Sequence, residues 1–93
     1  MTEHDEIEQG REAQEILDHR ILKRALKDCR KEIMDMWEAT PARDTDGREW
    51  LWKLHQASVR FENILRGYID SGKIAKANLK EGRTVAEKIR SIM

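Results

Sequence analysis

The chain has 93 residues, 39% of them charged and only 5% aromatic, and its 18 Lys and Arg balance 18 Asp and Glu to a formal net charge of zero. A chain of this length makes one domain with a thin core, and its balanced charge sets up no global field toward nucleic acid or a membrane surface. The single cysteine, Cys29, excludes an internal disulfide and reads as a small packed apolar residue in a reducing compartment.

No apolar run approaches the length of a membrane span. The first residues are acidic and polar, where a signal or transit peptide would be basic and apolar. The expectation is a cytosolic protein that does not engage a membrane.

In chain order, residues 1–17 form an acidic arm with a weak apolar pattern. From Met1 to Asp18, Glu3, Asp5, Glu6, Glu8, Glu12, Glu15 and Asp18 stand against Arg11 alone, and such an arm is barely stable as an isolated helix. From Leu22 the pattern sharpens. Leu22, Leu26, Cys29, Ile33 and Met36 follow alternating steps of four and three, which predicts a helix over 18–39 with one apolar seam. Continued backward, that seam would bring Glu15, Glu12 and Glu8 into the core. The register is therefore expected to break at Leu17–Asp18, with Asp18 as the N-cap of a fresh helix.

Thr40-Pro41 biases Thr40 away from helical angles, and residues 40–45 carry no periodicity, so they form a turn. Asp46 and Glu49 have capping-box spacing ahead of Trp50-Leu51, which predicts a long helix over 46–81. Its seam runs Leu51, Leu54, Ser58, Phe61, Leu65, Tyr68, Gly72, Ala75, Leu79, Gly82, Ala86, Ile89 and Met93. A repeat averaging 3.5 residues keeps one stripe facing a partner helix.

The two seams match as an antiparallel helical hairpin with coiled-coil-like packing, Met36 opposite Leu51, Ile33 opposite Leu54, Cys29 opposite Ser58, Leu26 opposite Phe61 and Leu22 opposite Leu65. The predicted fold class is all-α, with residues 82–93 as a basic terminal helix. At Gly72 two readings stand: a C-cap in Asp70-Ser71-Gly72, or a small residue that admits another backbone to a continuous helix.

Charge is segregated. Lys73, Lys76, Lys80 and Arg83 make a basic stripe near one end, and an antiparallel arm would bring Glu12 near Lys73, Glu8 near Lys76 and Asp5 near Lys80. The stripe reads first as self-pairing, then as a charged contact for a partner protein or for nucleic-acid phosphates. Trp52, His55 and Val59 lie on the side of the second helix away from Leu51 and Leu54 and form a candidate partner face. Tyr68, Gly72, Ala75 and Leu79 extend the candidate oligomer interface.

His4, His19, His55 and Cys29 lack the spacing of a metal pair or a nucleophile signature. Arg43, Asp44, Asp46 and Arg48 cluster at the turn, but arginine is a poor proton carrier. No glycine loop is present to cradle phosphate. The expectation is a protein without catalytic residues, metal or cofactor.

Two stretches, W-E-A-T-P-A-R-D-T-D-G-R-E-W-L-W from Trp37 to Trp52 and Y-I-D-S-G-K-I-A-K-A-N-L from Tyr68 to Leu79, resemble a group of small helical proteins encoded by tailed bacteriophages and prophages. The resemblance covers about Gln14 to Leu79, and the chain departs from it at His19, where the similar proteins often carry proline. It implies a phage context, with the protein in the host cytoplasm or incorporated in the virion. The expected role is non-enzymatic: a minor virion-structural or assembly factor that contacts itself or a phage structural protein. Sequestering a host protein and assisting DNA packaging are the alternatives.

Overall fold

The computed structural model describes residues 2–92, with side chains described for residues 2–82, 89 and 90. All regular structure among them is α-helical: α1 (Glu3–Asp18), α2 (Arg20–Ala39) and α3 (Thr45–Ile92). Two compact units are formed, one from residues 1–15 with 65–93 and the other from residues 16–64. Arg83, Ala86 and Met93, which the sequence placed in the basic stripe or the seam, lie outside the described side chains.

Helix α1 is better specified than its composition suggests. Thr2 and Asp5 cap it reciprocally: Asp5 N–H donates to Thr2 Oγ1 at 3.2 Å and Thr2 N–H to an Asp5 carboxylate oxygen at 3.2 Å. Glu3, Asp5 and Glu6 complement the positive end of the helix dipole in the first turn. Arg11 bonds both Glu8 and Glu15 along one face.

The break after α1 falls one residue later than expected. Asp18 closes α1, and His19 is extended (φ −66°, ψ 126°) and caps α2, its Nδ1 accepting from Ile21 N–H at 3.2 Å. An imidazole nitrogen thus takes the part assigned to the Asp18 carboxylate.

Alpha-helix α2 ends at Thr40, whose hydroxyl donates to Met36 O at 2.7 Å and whose N–H donates to Trp37 O at 3.2 Å. The next helix is capped by Asp44 in place of Asp46: an Asp44 carboxylate oxygen accepts from Gly47 N–H at 3.0 Å, and Asp46 lies within the first turn of α3.

Helix α3 continues through Gly72 and Gly82, so the separate helix expected over 82–93 is part of it. No described glycine has positive φ, which removes the left-handed cap that would have ended a helix at Gly72.

In the unit of residues 16–64, Ile33 and Leu51 are buried and Leu22, Leu26, Cys29 and Ser58 half-buried. Ser58 satisfies its hydroxyl within its own helix, donating to His55 O at 2.7 Å. The expected seam fails at Met36 and Leu54, which are exposed, and at its large aromatic position. Phe61 is 51% exposed, and its neighbour Glu62 turns inward to accept from Arg30 of α2 at 2.6 Å.

In the other unit Ile69 is buried where Tyr68 was expected, and Tyr68 is 38% exposed. The cause is the backbone approach of α1. A Cβ on Gly10 would lie 2.9 Å from Tyr68 O and 3.1 Å from Gly72 Cα, leaving no room between the helices for a tyrosine ring. Gly10, Ala13, Gly72 and Ala75 are all buried. Ile89, also expected in the seam, is exposed.

Candidate protein-interaction surfaces

Three surfaces collect the residues singled out from sequence. The first is a groove of about 380 Å³ in the unit of residues 16–64. Ile33, Met34 and Trp37 of α2 form one wall, Leu51, Trp52 and His55 of α3 the other, and Arg30 stands at the edge. The Trp52/His55 side of α3 was expected to face away from the seam. It adjoins α2 here, because Trp52 and His55 flank Leu51 and share the groove with Trp37. Val59 is half-buried and belongs to a separate depression with Gln56 and Ile64.

The groove wall is held at its turn end by Arg48. Its guanidinium lies 4.6 Å from the centroid of the Trp37 ring and donates to Pro41 O at 3.2 Å and Thr40 O at 3.0 Å. One planar fork therefore ties the C-terminus of α2, the turn and the first turn of α3 together. The sequence singled out Arg48 only as part of a turn cluster.

The second surface is a stripe on α3 made of Trp50, Leu54, Ala57, Phe61 and Ile64. Steps of four and three separate these residues, so they share one face, about a quarter turn from the Leu51–Ser58 line that packs toward α2. All five are exposed, the four large ones from 37% at Leu54 to 56% at Trp50. The spacing was visible in the sequence, but Leu54 and Phe61 had been assigned to the internal seam, which hid the second stripe.

The third surface lies in the unit containing α1, a groove of about 270 Å³ above the crossing of Gly10 and Gly72, with Ile7 and Ile69 in its floor. Arg11, Lys73 and Lys76 line it. Lys73 and Lys76 are exposed and make no ion pair among the described residues. Lys80 is exposed and Leu79 half-buried.

Gly72 and Ala75, expected at an interface between subunits, are buried within the chain. The acids expected opposite the lysines are engaged on α1: Glu8 by Arg11, Asp5 by Thr2. These bonds hold both carboxyls below their ordinary range, Asp5 chiefly through the Thr2 hydroxyl and Glu8 chiefly through the Arg11 hydrogen bond. The Arg11 guanidinium is correspondingly pushed up, first by its bond to Glu8.

Among the described residues no cluster of three or more His, Cys, Asp or Glu is placed to hold a metal ion, and no helix is long and apolar enough to cross a membrane. Cys29 is a half-buried free thiol. The arrangement offers apolar and charged contact surfaces. Comparison with protein-family models, curated proteins and solved structures gives no match to this chain.

Proposed function

We propose that this protein is a non-enzymatic helical interaction module that works as an oligomer. By the likeness of its turn and cap motifs to small phage-encoded proteins, its role is that of a minor virion-structural or assembly factor. In this reading α2 and the first part of α3 form an antiparallel hairpin with coiled-coil-like packing. The hairpin buries one stripe of α3 internally and presents the other to a partner.

The observation that carries the reading is uncovered apolar surface. Trp50 is 56% exposed, Phe61 51%, Ile64 45% and Leu54 37%. These are the residues an oligomer interface would cover, and contiguous exposed apolar patches mark interaction sites.

Native mass spectrometry and sedimentation velocity on the full chain test this. The expected result is an oligomer that Phe61→Glu converts to monomer with helicity retained, since Phe61 is outside the internal seam. A wild-type chain that stays monomeric at every concentration would sink the reading.

Lys73 and Lys76, exposed over an apolar floor and without an ion pair among the described residues, favour, as a second reading, an acidic protein partner such as a sequestered host factor. Its test is a stoichiometric complex recovered from the host and lost in the double variant Lys73→Gln, Lys76→Gln.

A further inference from the structure

We infer that α2 carries a binding face for the phosphate backbone of duplex DNA, made by Arg20, Lys23, Arg24, Lys27 and Lys31. This face lies on a different helix from the oligomer contact proposed above and does not depend on it.

The charge of the chain balances overall but not locally. Between positions 20 and 31, Arg20, Lys23, Arg24, Lys27, Arg30 and Lys31 stand against Asp28 alone. Steps of four, three and four along Arg20, Arg24, Lys27 and Lys31 place these four on one line of α2, with Lys23 beside it. The line lies about half a turn from Leu22, Leu26, Cys29 and Ile33, which are half-buried or buried. Asp18 precedes it, and Asp35 and Glu38 continue it, so acids bound the basic face at both ends.

The five cations are exposed, the side chains of Arg24 and Lys31 by 78% and 76%. Arg20, Lys23 and Lys27 make no ion pair among the described residues. Arg24 reaches Asp28 only at 3.9 Å, and Lys31 pairs with Asp35 at 3.3 Å. Exposed pairs of this kind are weak, and a phosphate can displace them. Arg30 is set apart, turned to Glu62 of α3 at 2.6 Å.

The chemistry of the face selects the partner. A protein interface centres on apolar and aromatic anchors, and lysine is depleted there. Between Arg20 and Lys31 no large apolar side chain stands on the line, and Ile21, 55% exposed, is about a quarter turn away. An amphipathic helix binds a membrane through its apolar face, and that of α2 is already taken up within the fold.

A phosphate backbone asks only for exposed cations. Each contact releases a condensed counterion, and duplex DNA presents one charge per about 1.7 Å of its axis. The line spans about 16 Å of helix, which brings all five cations over a densely charged rod. Phosphate contacts carry no sequence information, so the face holds DNA without selecting it.

Fluorescence anisotropy of a short labelled DNA duplex against the full chain tests this. Binding is expected to fall with salt along a log–log slope of about −4 for the four to five phosphates neutralised by each chain, a loss of roughly 200-fold between about 50 and 200 mM. Glutamine keeps the helix propensity of lysine and arginine. The double variants Arg24→Gln with Lys27→Gln and Arg20→Gln with Lys31→Gln should therefore keep the wild-type circular dichroism, and each should flatten the slope by about 2 per bound chain. Lys73→Gln with Lys76→Gln should leave the slope unchanged, and so should a different duplex sequence.

Absence of salt-dependent binding would overturn the proposal. So would a slope that both α2 double variants leave intact. Tighter binding to anionic vesicles or to polyglutamate than to the duplex would overturn it by giving the face to a membrane or an acidic protein. None of these results bears on the oligomer reading, which sedimentation velocity tests separately.

Discussion

Gly10 of α1 and Gly72 of α3 meet backbone to backbone. A Cβ added to Gly10 would lie 2.9 Å from Tyr68 O and 3.1 Å from Gly72 Cα, and one added to Gly72 would lie 3.0 Å from Glu6 O and 3.2 Å from Gly10 Cα. The obstacles are main-chain atoms, which cannot swing aside as a side chain can. Glu6 lies beside Gly72 and Tyr68 beside Gly10, so the two helices pass in opposite directions.

Glycine-to-alanine substitution should therefore change sign along this protein. At Gly67 and Gly82 nothing lies within 4 Å of the added Cβ, and replacing a helical glycine there stabilises by up to about 1 kcal/mol. At Gly10 the same change forces the helices apart, and overpacking of this kind costs about 1–3 kcal/mol. Thermal unfolding followed by circular dichroism should show Gly67→Ala melting above the wild type and Gly10→Ala below it. Equal shifts at the two positions would mean that α1 does not dock against α3 in this way.

The turn makes a second prediction. Arg48 stacks on Trp37 and donates to the carbonyls of Thr40 and Pro41. Hydrogen bonds from a charged group contribute about 1.5–3 kcal/mol and an exposed cation–π contact about 0.5–1 kcal/mol. A lysine keeps the charge but not the planar fork. Arg48→Lys should thus lose nearly as much stability in urea unfolding as Arg48→Ala, about 1–3 kcal/mol. Near-complete retention by lysine would show that charge alone, and not the bridging geometry, holds the turn.

The helices themselves and the turn between α2 and α3 were legible because they rest on local chemistry: the step of 3.5 residues along Leu22–Met36 and the Thr40-Pro41 stop. Choices decided by distant partners were not. Phe61 and Glu62 flank the same seam position, and apolarity alone selects the phenylalanine. Arg30 on another helix selects the glutamate.

Asp44, Thr45 and Asp46 all suit an N-cap, and which one serves depends on where the turn delivers the chain. Gly10 reads as a cost inside α1 until Gly72 is known to lie against it. Thr2 and Asp5, by contrast, have capping-box spacing in the sequence itself, a local signal that the arm's acidic composition masks.

Helix α1 gives the last prediction, a dependence on pH. Asp5 and Glu8 titrate below their ordinary values of 3.8 and 4.5 because Thr2 and Arg11 bond their charged forms. A carboxyl whose folded pKa is depressed adds stability above its unfolded pKa and loses it as pH falls through the folded value. Acidification from about pH 5 downward should therefore weaken α1, beginning with Glu8 near its ordinary value of 4.5 and then Asp5.

Both groups are exposed, so the effect should appear as progressive loss of helical signal and not as a sharp unfolding step. Arg11→Gln removes the bond to Glu8 and should flatten the upper part of that loss, while leaving the part due to Asp5. Thr2→Val removes the hydroxyl that caps Asp5 and should flatten the lower part. Circular dichroism at the helix minimum across this range, for the three chains side by side, separates the contributions. An acid profile unchanged by both substitutions would assign the titration to carboxyls elsewhere in the chain.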